Sequence, residues 1–134
     1  MNSELDKLQL EIRRLQELFL RTNPLINSIF MLQEKKGKER FQKKELGKEE
    51  WLNLEDTINS CYLGFIERLN TYYPNLTDLD IKYCCLLKLH IPTVDIATLM
   101  HVKMSTVFMV KYRMYKLKIG VKQNLSFDKF LDEF

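Results

Sequence analysis

The sequence predicts an all-α protein, and three observations carry that expectation. Apolar residues recur at steps of three and four through most of the chain, as they do along one face of a helix. The stretches break at Asn23-Pro24, at Pro74, at Ile91-Pro92 and at Gly37 and Gly120, residues that end or restart helices. Only 4 glycines and 3 prolines stand in 134 residues, too little punctuation for a fold of short strands. The expected architecture is a pair of N-terminal helices with a possible coiled coil and a charged connector, residues 1–50. A compact four- to five-helix domain follows, residues 51–134.

Taken in order, residues 3–21 carry Leu5, Leu8, Ile12, Leu15 and Phe19, a heptad seam shorter than three repeats. Ser3 and Asp6 make a capping-box-like start. Such a seam serves equally for pairing two copies or for packing one helix on its own domain. Asn23 is a good N-cap and Pro24 suits the first helical position, so a second helix runs from there to Gly37. Residues 37–50 are charge-rich and read as a flexible connector. Trp51, Leu54, Ile58, Cys61, Phe65, Leu69 and Tyr72 then predict one long helix ended by Pro74. Thr77 with Asp80 opens a helix through about Leu89, with Ile81, Cys84, Cys85 and Leu87 or the Lys88 stem as its core face. Thr93 caps a two-turn helix, His101-Val102-Lys103 form a turn, and residues 104–118 form a longer helix closed by Gly120. The tail carries Leu125, Phe127, Phe130, Leu131 and Phe134 at helical spacing and is expected to fold back onto the domain.

Composition narrows the function classes. The three cysteines include the neighbours Cys84 and Cys85, which form no spaced disulfide framework and read as reduced, buried thiols. A zinc site of Cys84, Cys85, His90 and His101 is the sharper alternative, with no paired ligand spacing to support it. The longest uncharged run, residues 22–33, is too short to cross a bilayer, and no signal-peptide pattern opens the chain. The sequence reads as that of a soluble, cytoplasmic protein. The net charge of +3 is unevenly placed: residues 1–75 hold 12 basic and 12 acidic groups, whereas residues 76–134 hold 9 and 6. Lys103, Lys111, Arg113, Lys116, Lys118 and Lys122 fall within 101–122, a stretch without any acid. Such a run serves phosphate binding, and also serves as an ordinary solvated helix face.

The segment IATLMHVKMSTVFMVKYRM, residues 96–114, has the spacing of two helices crossing steeply across a tight turn. Counting Thr93 as the first position, the inward positions 4, 8, 10, 15 and 18 are Ile96, Met100, Val102, Val107 and Val110, all apolar. Ala97 supplies the small residue that lets the two backbones approach. His101 takes the turn position where φ is positive, a conformation usually given to glycine.

With those residues in view, residues 76–117 resemble the LuxR-type helix-turn-helix. The chain over roughly 22–134 is similar to the C-terminal region of bacterial regulators that join tetratricopeptide repeats, a membrane helix and a coiled coil to that domain. The resemblance implies a LuxR-type helix-turn-helix fold and a cytoplasmic DNA-binding output part of a larger signalling regulator, or a shortened relative of one. It departs from the family pattern at Lys103, where a serine usually caps the reading helix, and at Phe108, where a lysine usually follows the Thr-Val pair.

The candidate DNA-binding residues are Lys103, Ser105, Thr106, Met109, Lys111, Tyr112, Arg113 and Lys116. Arg113 suits a guanine edge or a phosphate, and Ser105 and Thr106 can bond to either. Lys103, Lys111 and Lys116 suit phosphates. Val107, Val110, Met114 and Leu117 are expected to point inward. For Phe108 and Met109, burial against the tail helix or a partner chain is the simpler expectation, with thymine methyls as the other contact open to them. The leading expectation is a DNA-binding transcriptional regulator that binds double-stranded DNA as a homodimer through its N-terminal helices. The alternative is a helical interaction module that keeps the packing and lacks DNA readout. An enzyme is not expected: no nucleophile set and no phosphate-cradling glycine loop is present, and nothing calls for a cofactor or metal.

Overall fold

The computed structural model describes residues 3–34, 46–120 and 126–134, and all secondary structure among them is helical. The order is α1 (Ser3–Leu20), α2 (Pro24–Glu34), α3 (Lys48–Cys61), α4 (Phe65–Tyr72), α5 (Asp78–Lys88), α6 (Thr93–Met100), α7 (Met104–Arg113) and α8 (Phe127–Glu133). A π-helical segment, Met114–Ile119, continues α7 without a break. Most of the charged connector, Lys122 and Leu125 lie outside the described residues, as does the expected helix stop at Gly37.

Several boundaries follow from caps legible in the sequence. The Asn23 Oδ1 accepts from the Leu25 and Ile26 amides at 3.0 and 3.2 Å, with Pro24 as the first residue of α2. Thr77 and Asp80 form a full capping box: the Thr77 amide donates to Asp80 Oδ2 at 2.9 Å and the Asp80 amide to Thr77 Oγ1 at 3.1 Å. In α8 the Lys129 amide donates to Ser126 Oγ at 3.2 Å. The capping role expected of Thr93 falls one residue earlier, on Pro92, whose carbonyl accepts from the Ile96 amide at 3.0 Å.

The single long helix expected over 51–72 is instead two. The chain turns at Tyr62-Leu63-Gly64, with positive φ of 53° at Leu63 and 75° at Gly64. Apolar spacing continues across the turn, so periodicity alone does not reveal it, but local hydrogen bonds hold it. The Gly64 amide donates to the Asn59 carbonyl at 2.8 Å, a C-terminal helix cap in which Leu63 takes the left-handed position that glycine more usually fills. The Asn59 side-chain oxygen then accepts from the Ile66 amide at 2.9 Å and caps α4. Arg68 reaches back to the Tyr62 carbonyl at 2.7 Å and also donates to the Phe134 main-chain oxygen, tying the turn to the end of the chain.

At the centre lies α5. Ile81, Cys84, Cys85 and Leu87 are buried as expected, but so are Tyr83, Leu86 and Lys88, so the helix is enclosed on several sides rather than along one stripe. Around it pack Leu54 and Ile58 of α3, Phe65 and Leu69 of α4, Ile96 of α6, Val107 and Val110 of α7, and Leu131 of α8. Leu20, Ile26 and Ile29 from α1 and α2 belong to the same core. The tail folds back as expected: Phe127, Phe130 and Phe134 meet Tyr115, Tyr73 and Phe65 at ring-centroid distances of 5.5 to 6.4 Å. Buried Lys88 closes this layer. Its Nζ donates to the Leu131 and Asp132 carbonyls at 2.8 and 3.1 Å, cationic donors meeting the acceptor end of α8, and it sits 4.7 Å from the Tyr62 ring centre. Burial holds its pKa below the usual lysine value.

α1 differs from every other helix. Leu20 is buried at its end, and the Gln16 carbonyl meets the Cys61 thiol at 3.6 Å, so the helix is docked on the body. Yet Arg13, Gln16, Glu17 and Leu20 line an open cleft beside the body, and Leu5, Leu8, Ile12, Leu15 and Phe19 are all exposed. Among the described residues no single helix is long and apolar enough to cross a membrane. The bent pair of α6 with α7 and its π-helical continuation reaches that composition with apolar residues on both its core-facing and its exposed sides.

Candidate nucleic-acid interface

Between α6 and α7 lies a three-residue turn, and the chain changes direction there by 97°. Its geometry is built from the positions singled out in the sequence. Ile96 and Val107 are fully buried, Val110 nearly so, and Met100 and Val102 are partly buried against the core. Ala97 is buried, and its carbonyl accepts from the Val102 amide at 3.0 Å. His101 stands at φ 59° and ψ 45°, the left-handed conformation assigned to it from its position. His90, two residues before Pro92, also has a positive φ, 60°.

The inward residues of α7 fix what its other face offers. Ser105, Phe108, Met109 and Tyr112 follow the spacing i, i+3, i+4 and i+7, and all four are exposed on one stripe. Arg113 and Lys116 lie beside it, also exposed, and Lys103 stands exposed at the helix start without a side-chain cap hydrogen bond. Thr106 is half-buried at the edge. Phe108 and Met109 keep 54% and 61% of their surface, so the tail helix covers neither. The expected burial against that helix is not found.

Two cations of the segment are engaged elsewhere. Lys111 Nζ lies 3.0 Å from Asp128 Oδ1 of α8, with its side chain largely covered, which sets it apart from the outward stripe. Lys118 pairs with buried Asp80 at the start of α5. Burial alone would raise the Asp80 carboxyl, but hydrogen bonds from Lys118 and from the Thr77 amide and hydroxyl, with the Lys118 charge, hold it below the usual carboxylate range. These pairs anchor the flanks of the helix and leave Lys103, Arg113 and Lys116 facing water with no ion pair among the described residues.

Leu117 is a correction. Expected inward, it is 73% exposed, while Tyr115 and Ile119 pack on the core beside fully buried Met114. The cause is the π-helical segment, in which the Gly120 amide donates five residues back to the Tyr115 carbonyl at 3.1 Å. A turn closed over five residues advances the inward stripe differently from an α-helix, and nothing in the residue types announces that. The exposed face therefore includes Phe108 and Leu117, and Met104 at its start, beyond the residues first singled out.

Among the described residues no group of three or more His, Cys, Asp or Glu side chains is placed to hold a metal ion. Burial pushes the Cys84 thiol up to about 12 and the Cys85 thiol well above its ordinary value, so both stay protonated, while His90 and His101 lie exposed. A cleft of about 540 Å³ opens between α1, α2, α5 and α8. Within it His90 Nε2 is 2.8 Å from Asp132 Oδ1, and Arg13 is 3.8 Å from Asp132 Oδ2. Comparison with family models, with curated proteins and with solved structures returns no match.

Proposed function

We propose that this protein is a DNA-binding transcriptional regulator that reads double-stranded DNA with α7 as a dimer. The observation that carries the reading is the outward face of α7: a projecting helix, steeply crossed by its predecessor, edged by Lys103, Arg113 and Lys116, with no acid between His101 and Gly120. The major groove, about 12 Å wide, admits a helix of this size, and cations at both ends of the stripe meet the phosphates along its edges. The resemblance of residues 76–117 to the LuxR-type helix-turn-helix supports the same reading. The exposed seam of α1 supplies the pairing surface, which would set two reading helices on two half-sites.

Selection of binding duplexes from a random pool tests this proposal. The expected product is a paired half-site with a fixed spacing. A pool that remains random after repeated rounds at low salt would count against it. One observation favours a second reading, a helical protein-interaction module: the stripe on α7 is largely apolar. That module predicts a protein partner whose binding depends on Phe108 and Met109 and is insensitive to added duplex.

A further inference from the structure

The central stripe of α7 carries an unusual choice of groups for a helix facing DNA. Phe108, Met109 and Tyr112 project beside Ser105, so three of its four side chains present carbon or sulfur at their widest part. Base edges in the major groove present hydrogen-bonding donors and acceptors, and burying those against carbon without replacement bonds is costly. One apolar group is found there, the C5 methyl of thymine. Resting on the DNA-binding reading above, we propose that Phe108 and Met109 form a methyl-reading surface, so that the protein selects duplexes displaying pyrimidine C5 methyl groups in the major groove.

Charge complementarity argues for duplex DNA as the occupant of this apolar face. Exposed Lys103 lies at its N-terminal end and exposed Arg113 and Lys116 at its C-terminal end, while Lys111 and Lys118 are drawn away by Asp128 and Asp80. A row of carbon between two cationic ends matches a groove whose floor carries methyls and whose rims carry phosphates. Exposed Tyr112 sits one turn beyond Phe108 and extends the apolar stripe toward Arg113.

The experiment compares two duplexes of alternating sequence, dA-dT and dA-dU, which differ only in the thymine methyl. Affinities are measured by anisotropy at one low salt concentration. Burying a methyl group changes affinity roughly fourfold, so dA-dT is expected to bind tighter by about that factor for each contacted methyl. A Phe108→Ala/Met109→Ala variant, altered only at exposed positions, is expected to bind both duplexes equally while keeping its salt dependence. Equal binding of the two duplexes by the unaltered protein overturns methyl reading and leaves DNA binding standing. Discrimination that survives in the variant overturns the assignment to these residues. Binding to neither duplex overturns the DNA-binding reading itself. Phe108- and Met109-dependent capture by anionic lipid vesicles, with no preference between the duplexes, would give the face to a membrane surface instead.

Discussion

The two ends of the described chain are both amphipathic helices, and the fold treats them in opposite ways. α8 turns Phe127 and Leu131 into the core and places Phe130 and Phe134 among the rings of Tyr73, Tyr115 and Phe65. α1 docks through buried Leu20, the Gln16 carbonyl against the Cys61 thiol and the Arg13–Asp132 ion pair, and leaves its heptad seam in water. Apolar periodicity thus marks that a helix has a surface to cover, while the cover itself depends on the geometry of the rest of the molecule. In α8 the cover is intramolecular. In α1, on the reading proposed above, it is a second copy of the same helix.

The largest expected effect tests that contrast directly. Leu131→Ala removes a fully buried side chain and is expected to cost about 2–5 kcal/mol in urea unfolding. Ile12→Ala in α1, measured at high dilution, is expected to change stability by less than about 0.5 kcal/mol. Similar losses for the two would mean that the seam is covered within one chain. Next comes association: sedimentation is expected to show a dimer that Leu8→Lys/Leu15→Lys converts to a folded monomer. A mass unaltered by those substitutions would break the α1 half of the comparison.

A smaller effect concerns the anchoring of α7 and its π-helical continuation. Asp80 has its pKa lowered in the folded state, so its contribution to stability is present above the unfolded value and lost as pH falls through the folded one. Acid titration of stability should therefore show a loss below the ordinary carboxylate range that Asp80→Asn lacks; identical profiles would remove Asp80 from the account. The smallest effect is at the turn. His101 has φ 59°, and a left-handed conformation costs a non-glycine residue roughly 1–2 kcal/mol. Part of that is offset by the greater freedom glycine gains when unfolded. His101→Gly is expected to raise the melting temperature modestly and leave duplex affinity unchanged, and a fall in stability would show that the ring itself contributes.

Much of this fold was legible because its signals are local. The Asn23 cap, the Thr77–Asp80 box, the Gly120 stop and the positive φ at His101 each depend on residues within a turn of one another. The break at Leu63-Gly64 escaped because apolar spacing persists across it, and the deciding bonds come from Asn59 and Arg68 on either side. The exposure of Leu117 escaped for a related reason: a π-helical segment changes the angular step without changing the composition. In the candidate site, the positions of Val107 and Val110 followed from spacing alone. The diversion of Lys111 to Asp128 required knowing where α8 returns, a contact 17 residues away in sequence.

The most direct test of the central claim is fluorescence anisotropy of a labelled random-sequence duplex, titrated with the protein at two salt concentrations. The account predicts a Kd on the order of micromolar at low salt, weakening steeply as salt rises. Lys103→Ala/Arg113→Ala/Lys116→Ala, all at exposed positions, should reduce the log–log salt slope by about 0.9 for each phosphate contact removed. Absence of binding at low salt by the folded protein would contradict the claim.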